Sequence, residues 1–165
     1  MKKIIIALFM MAPLATFAQK FGHVNSQEII QAMPEFNTAK AEIDKLTEQY
    51  EADLKQMQEE LQKKAEAFEK EGSTLPDNIK TRRETELNEL YQRIQQTYQD
   101  NQQALAKAQQ EKMAAIQTKV LDAIKAIGQE GGYVYIMEIG AGIPYISTTL
   151  SSDVTAQVKT KLGLK

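Results

Sequence analysis

The sequence predicts an α+β protein that is mostly α-helical, in which a long antiparallel helical hairpin projects from a small β-strand body that self-associates. Three features of the sequence lead to this fold class. Apolar residues recur every eleven residues along most of the chain, at about 3.67 residues per turn, which is close to the natural α-helix. A single break containing Gly and Pro, residues 72–77, divides that pattern into two segments. Short β-branched and aromatic segments lie before and after it.

The first 18 residues have the order of a secretory signal peptide. Two lysines precede an apolar run from Ile4 to Leu14, and small residues end at Ala18 before Gln19. The run is shorter than the roughly 20 residues that a membrane span needs. We therefore expect residues 1–18 to be cleaved and the mature, exported chain to begin at Gln19. A retained membrane anchor is the alternative.

The composition argues against several classes of function. The chain has no cysteine, which excludes a disulfide framework and cysteine-based metal sites. Without Lys2 and Lys3 it carries 18 basic and 22 acidic residues, a net charge of −4, and this balance argues against nucleic acid as a partner. The absence of Trp and the small number of Phe residues also argue against a surface on which bases stack.

The mature chain is expected to open with a strand and a short helix. Residues 20–25 alternate in character and include Phe21 and His23. Ser26 is a suitable N-cap for a helix from Gln27 to about Met33. Pro34 should end that helix, because proline lacks the amide hydrogen and restricts the residue before it.

Two long helices are predicted next. The first runs from about Glu35 to Glu71, lacks Gly and Pro, and is dense in good helix formers. The second runs from about Asp77 to Gln129. The apolar seam is expected to comprise Ile43, Leu46, Tyr50, Leu54, Met57, Leu61, Ala65 and Phe68 on the first helix and Leu87, Leu90, Ile94, Tyr98, Leu105, Ile116, Val120 and Ile127 on the second. A hairpin folded about residues 74–75 pairs residue i with about residue 149 − i.

Polar residues interrupt the seam of the second helix. Asn101, Gln109 and Lys112 occupy positions where the pattern calls for apolar side chains, and such residues lower the stability of a coiled coil. Two interpretations remain open: a loosely packed, solvated stretch, or a flexible point at which the hairpin bends.

The C-terminal part is predicted to hold a β-hairpin and a last helix. Its strands are Tyr133–Ile139 and Ile143–Thr148, joined by a glycine turn, and the helix from about Asp153 to Leu162 is capped by Ser151 or Ser152. We expect residues 19–34 and 114–165 to form the body and residues 35–113 the arm. A body of about 70 residues is small, so its core should be completed by self-association.

No constellation of residues points to catalysis, to a metal or to a cofactor. His23 is the only histidine, so one chain cannot form a site with several histidines. A nucleophile elbow of the form G-x-S-x-G is absent, and the glycines near residue 141 join two predicted strands rather than opening a helix around a phosphate. The sequence predicts a protein that is not an enzyme, and a small hydrolase built around His23 is the least favoured alternative.

Binding surfaces are the remaining source of function. Large, adaptable side chains punctuate an otherwise polar arm, and Met and Tyr suit contacts with varied partners. The residues predicted to meet a client polypeptide are Tyr50, Leu54, Met57, Tyr91 and Tyr98. The alternative is that they only form the seam between the two helices, and the two roles are compatible in a hairpin of two helices.

Motifs at both ends of the mature chain resemble those of the Skp/OmpH family of periplasmic chaperones. They correspond to an opening strand with a short helix, a Pro-Glu step, a β-hairpin and a closing Asp-aliphatic-Thr turn. In this sequence they are Phe21–Ile30, Met33-Pro34-Glu35, Gly132–Ile139 with Ile143-Pro144-Tyr145, and Ser152-Asp153-Val154-Thr155. The resemblance covers essentially all of residues 20–163 and depends on the order and spacing of these motifs.

The resemblance implies a periplasmic homotrimer that acts without ATP. Tentacle-like arms would surround a cavity that holds unfolded outer-membrane β-barrel proteins and prevents their aggregation. The residues then expected in the body core and trimer contact are Val24, Val134, Ile136 and Ile146. The alternative function is a structural or adaptor coiled coil of the cell envelope that binds one folded partner.

The charge of the arm departs from the strongly basic arms of the best-known family members. Residues 35–130 contain 14 basic and 19 acidic residues, a net charge of −5. Lipopolysaccharide or a membrane surface is a further partner that the family suggests, but an acidic arm argues against capture of such acidic partners through charge.

Overall fold

The computed structural model describes residues 19–140 and 142–164, which form two compact units. Residues 19–26 and 122–163 form the first, called the body unit here, and Gln27–Leu121 form the second, called the arm unit. Residues 27–34 and 114–121, which the sequence pattern assigns to the body, therefore lie in the arm unit. The predicted signal peptide lies outside the described residues.

The body unit contains a three-stranded sheet whose strands are all parallel. Strand β1 (Lys20–Val24) lies in the centre, between β2 (Tyr133–Glu138) and β3 (Ser151–Asp153). His23 is the register partner of Met137 on one side and of Asp153 on the other. Both outer strands leave one edge unpaired within the described chain, so the sheet presents two edges rather than a closed surface.

The predicted β-hairpin is wrong in its second strand. Residues 143–147 form no regular element, and β2 pairs with β1 in parallel instead of turning back on itself. Pro144 cannot donate a ladder hydrogen bond, and Gly140 and Gly142 have positive φ angles of 97° and 77°. The third strand is formed instead by residues 151–153, a polar segment in which the sequence predicted only a helix cap.

The last helix, called α4 here (Thr155–Lys161), fastens to β1 through backbone and side-chain contacts. The amide of Val154 donates to the carbonyl of His23 at 2.9 Å, and the amide of Asn25 donates to Thr155 Oγ1 at 3.0 Å. Val154 and Val158 are fully buried, and the side chain of Val24 is only 2% exposed. The core of the body unit therefore lies between the helix and the central strand.

The predicted helical hairpin is present, and the arm unit contains all of it except the last ten residues of its second helix, which belong to the body unit. After a short helix α1 (Ser26–Ala32), helix α2 runs over Pro34–Glu71 and helix α3 over Asp77–Gly131. Pro34 begins α2 instead of only ending α1, which fits its preset φ angle and its missing amide hydrogen at the first helical position. Gly132, with a φ of 67°, ends α3. The predicted helices and the break between them are confirmed.

Burial within the hairpin is one-sided and sparse. On α3, Leu90, Ile94, Ile116 and Val120 are buried. None of the 38 residues of α2, all of them within the described chain, is buried, and its seam residues are at most half-buried. Two helices alone cover only part of each apolar stripe, so much of the hairpin faces solvent.

The two helices are displaced by about one turn from the predicted register. Lys112 forms an ion pair with Glu42 and Lys119 with Glu35, so the paired numbers add up to 154 rather than 149. Part of this difference arises because side chains on a helix lean toward its N-terminus, and the two helices are antiparallel. Each charged side chain reaches toward the N-terminus of its own helix. The residue that it pairs with is therefore displaced by about one position from the residue that lies directly opposite in the backbone.

Candidate functional site

The largest exposed apolar groups of the arm unit lie on α3. Tyr91 and Tyr98 are 52% and 54% exposed and lie seven residues apart, so they share one side of the helix. Thr97, which is half-buried, takes the seam position that the sequence pattern assigned to Tyr98. The structure therefore removes Tyr98 from the seam and leaves its ring open to solvent.

The three predicted binding residues of α2 are less exposed. Tyr50, Leu54 and Met57 are half-buried along the seam. Leu54 reaches a groove of about 450 Å³ that runs between the helices and that Tyr98 also borders. The predicted set is therefore divided: Leu54 and Tyr98 meet at one groove, and Tyr91 extends the exposed side of α3.

Near the start of α2, two Lys-Glu ion pairs bridge the hairpin. Lys119 Nζ lies 2.9 Å from Glu35 Oε1, and Lys112 pairs with Glu42 seven residues away on each helix. All four residues border a cleft of about 330 Å³. The hydrogen bond from Lys119 lowers the pKa of Glu35 from its ordinary value.

The polar residues that interrupt the predicted seam have three different surroundings. Lys112 forms the ion pair with Glu42, and Gln109 borders a cleft of about 320 Å³ beside Met113. The buried Nδ2 of Asn101 has no hydrogen-bond partner among the described residues. The interruption is therefore not a uniform stretch, because one of its members links the two helices.

The body unit exposes a second group of apolar side chains. They are Val134, Tyr135, Met137, Ile139, Tyr145 and Leu150, with Tyr145 and Leu150 at 78% and 76%. The rings of Phe21 and Tyr135 stack with their centroids 4.8 Å apart, and both border a cleft of about 310 Å³. Tyr135, Met137, Tyr145 and Leu150 border that cleft as well and form one apolar surface with it, and such a surface marks a site of association in soluble proteins.

The four residues predicted for the body core and trimer contact differ in exposure. Val24 is buried and Ile136 and Ile146 are half-buried, but Val134 is 56% exposed. Val134 is therefore not part of the core of a single chain. A role for it in contacts between chains stays a prediction.

The side chain of His23 contacts a serine on the neighbouring strand. Its Nδ1 lies 2.8 Å from Ser151 Oγ. Asp153 is also on that strand, but its Oδ1 accepts a hydrogen bond from the amide of Thr155 at 2.8 Å. Burial raises the pKa of Asp153, and the hydrogen bonds from Thr155 outweigh this effect, so the pKa lies below its ordinary value. The carboxylate thus pairs with the first amide of the last helix.

Sequence reasoning did not identify the ion-pair ladder or the third strand. The ladder had a signal that pattern analysis could have used: acidic residues 35 and 42 and basic residues 112 and 119 have the same seven-residue spacing on antiparallel helices. The strand at Ser151–Asp153 had none, because it contains no apolar residue. Across residues 19–140 and 142–164, no helix is both long and apolar enough to cross a membrane, and no cluster of His, Asp and Glu is arranged to hold a metal ion.

Comparisons with known proteins agree with this architecture. The family model described as outer membrane protein (OmpH-like) matches residues 20–162. Chaperone protein Skp of Yersinia enterocolitica is 27% identical over 156 residues, covering 93% of this chain and 94% of that protein. Chaperone protein Skp of Vibrio cholerae is 25% identical over 138 residues, covering 82% and 80%. A solved structure of an OmpH-like protein from Caulobacter crescentus has the same fold, with a TM-score of 0.76, 14% identity and coverage of 87% and 83%.

Proposed function

The chain belongs to the OmpH-like outer membrane protein family, and from this premise we propose that it is a periplasmic chaperone that binds unfolded outer-membrane β-barrel proteins and prevents their aggregation. It would act as a holdase, without ATP and without catalysis. Relatives named as Skp chaperones along nearly the whole chain support this function.

The observation that carries the proposal is the open surface of the arm. Helix α2 has no buried residue, and α3 presents two tyrosines that are more than half exposed. A hairpin of two helices offers a long surface but no enclosed pocket, which suits many weak contacts with a flexible chain better than one tight contact with a small molecule. We propose Tyr50, Leu54, Met57, Tyr91 and Tyr98 as client-contacting residues.

The chemistry of the clients explains why such a surface is useful. Strands of outer-membrane barrels alternate apolar and polar residues, and their unpaired edges aggregate in water before insertion. Side chains such as Tyr and Met can repack against different sequences, so they hold a client without imposing one structure. Such binding leaves the client free to fold once it is released.

We further propose that the body unit forms a homotrimer. The exposed apolar group around Tyr145 and Leu150, together with the two open edges of the sheet, is more than an isolated small unit would leave in water. Association through Val24, Val134, Ile136 and Ile146 would bury part of it. Three arms would then enclose the space in which a client is held.

A dilution assay tests the holdase function. A urea-unfolded outer-membrane β-barrel protein is diluted into buffer containing the chain, without nucleotide, and turbidity is followed. We expect suppression that saturates near one trimer per client, whereas an equal mass of an unrelated helical protein should leave the turbidity unchanged. Unchanged turbidity with a chain of native helical content would contradict the proposal and favour an envelope adaptor that binds a folded partner.

A further inference from the structure

A stripe of four uncharged side chains follows one side of α3, next to the seam. Tyr91, Gln95, Tyr98 and Gln102, called the Tyr-Gln stripe here, are spaced by four, three and four residues and therefore share one face of the helix. All four are exposed, with the tyrosines at 52% and 54%. The stripe is thus a continuous surface of phenol and amide groups.

The segment of α3 that carries the stripe is unusually poor in charge. Between residues 91 and 106 the only charged residues are Arg93 and Asp100, which have opposite signs. Each follows a tyrosine of the stripe by two positions, about 200° around the helix, so both lie on the opposite side. The stripe therefore carries no formal charge, although residues 35–130 as a whole carry a net charge of −5.

The polar groups of the stripe are free to bind another molecule. Within the described chain, no hydrogen bond or ion pair uses the side chain of any of its four members. Glutamine amides both donate and accept, and a tyrosine hydroxyl does the same beside an apolar ring. These are the groups that can match the alternating N–H and C=O groups of an extended main chain.

A groove lined by both apolar and amide side chains accompanies the stripe. Gln95 and Tyr98 border the groove of about 450 Å³, together with Leu54 of α2 and Ile94. The groove therefore has room for a side chain of a bound polypeptide, and the polar groups beside it can form hydrogen bonds with the main chain of that polypeptide. Peptide-binding surfaces commonly combine these two elements.

We infer that the Tyr-Gln stripe and its groove bind extended, uncharged segments of an unfolded polypeptide, and that this binding is independent of salt. The inference rests on the proposed chaperone function and names the client segments that the arm takes. Matching of charge supports it, because a charged segment would lose hydration against this surface without meeting an opposite charge. Strands of outer-membrane barrels fit this description on their membrane-facing side, where the residues are apolar with aromatic residues at both ends.

The test measures affinity against salt. A fluorescently labelled, urea-unfolded outer-membrane β-barrel protein is diluted into the chain, and its dissociation constant is measured by anisotropy. Between about 20 and 500 mM NaCl we expect less than a twofold change, because no ion pair has to be screened. The double variant Tyr91→Ala/Tyr98→Ala should weaken binding by about tenfold at both salt concentrations.

A matched variant and the wild type separate the outcomes. Gln96→Ala/Gln103→Ala has the same seven-residue spacing on another face of α3 and should bind as the wild type does. Because the tyrosines are more than half exposed, circular dichroism should show unchanged helix content in both variants. A client that is held but released steeply by salt, with no effect of the tyrosine variant, would overturn the inference and leave the chaperone function standing. Failure of the folded wild type to hold any client at either salt concentration would instead overturn the chaperone function.

Discussion

Lys119 Nζ lies 2.9 Å from Glu35 Oε1 and ties the first turn of helix α2 to helix α3. The pair Lys112–Glu42 repeats this contact in the same register, seven residues further along each helix. The apolar seam of α2 contains no buried residue. We therefore attribute the selection of the register between the two helices to these ion pairs. Both pairs are exposed, so they contribute to specificity more than to stability.

The pair Lys119–Glu35 predicts a dependence of stability on pH. The pKa of Glu35 is lowered in the folded chain, so its stabilising contribution is present above the unfolded pKa and is lost as the pH falls through the folded pKa. At neutral pH we expect Glu35→Gln to melt at a lower temperature than the wild type. The two melting temperatures should converge as the pH falls below the ordinary pKa of a glutamate side chain.

A second carboxylate of α2 provides the control for this experiment. Glu48 lies on the same helix and has no ion pair among the residues that the structure describes. Glu48→Gln breaks no such pair, so at neutral pH its melting temperature should stay close to that of the wild type. A constant gap for Glu35→Gln across the same pH range would refute the assigned contact.

A second prediction concerns the core of the body unit. Val158 is fully buried on helix α4, whereas Gln157 beside it is exposed. We expect Val158→Ala to lower the free energy of unfolding by about 1–3 kcal/mol, because it removes two buried methyl groups and leaves a cavity. Gln157→Ala should change it by less than about 0.5 kcal/mol. Urea unfolding followed by circular dichroism measures both, and equal effects would show that the helix is not packed as described.

A third prediction addresses self-association. Val134 is 56% exposed in a single chain, so Val134→Lys should not disturb folding but should place a charge in the proposed contact between body units. By light scattering at micromolar concentration we expect the wild type to be trimeric and the variant to dissociate. Leu121→Lys, at an apolar position that is 62% exposed in the arm unit, should stay trimeric. A monomeric wild type would contradict the proposed trimer.

The long helices could be predicted from the sequence because their signals are local. Helix propensity and the break at Gly72 placed the end of α2 at Glu71 and the start of α3 at Asp77, as observed. The outcome for the seam was mixed. The eleven-residue pattern located buried Leu90 and Ile94, but it also included Tyr98, because a repeat that averages steps of three and four residues does not decide which of two adjacent residues faces the partner helix.

The sheet was harder to predict because its pairing is decided by tertiary contacts. Residues 151–153 are polar and form a strand only because the edge of β1 offers hydrogen bonds. Residues 143–148 have the composition of a strand, but Pro144 and the glycines before them keep them out of the ladder. The ion-pair ladder was not predicted for a related reason. Opposite charges on two helices can be matched only when the register between the helices is known, and the register depends on tertiary contacts.

The last prediction separates the proposed chaperone from a hydrolase. His23 contacts Ser151, but the hydrogen bonds of Asp153 go to Thr155, so the carboxylate does not orient the imidazole as a catalytic triad requires. We expect His23→Ala to lose one hydrogen bond, at a cost of about 1 kcal/mol, and to suppress the aggregation of a urea-unfolded outer-membrane barrel protein as well as the wild type does. Ser151→Ala removes the same hydrogen bond by deleting the serine hydroxyl. We expect this variant, too, to suppress aggregation as well as the wild type does. A His23→Ala variant with native stability but no ability to prevent aggregation would show that the imidazole takes part in the function directly.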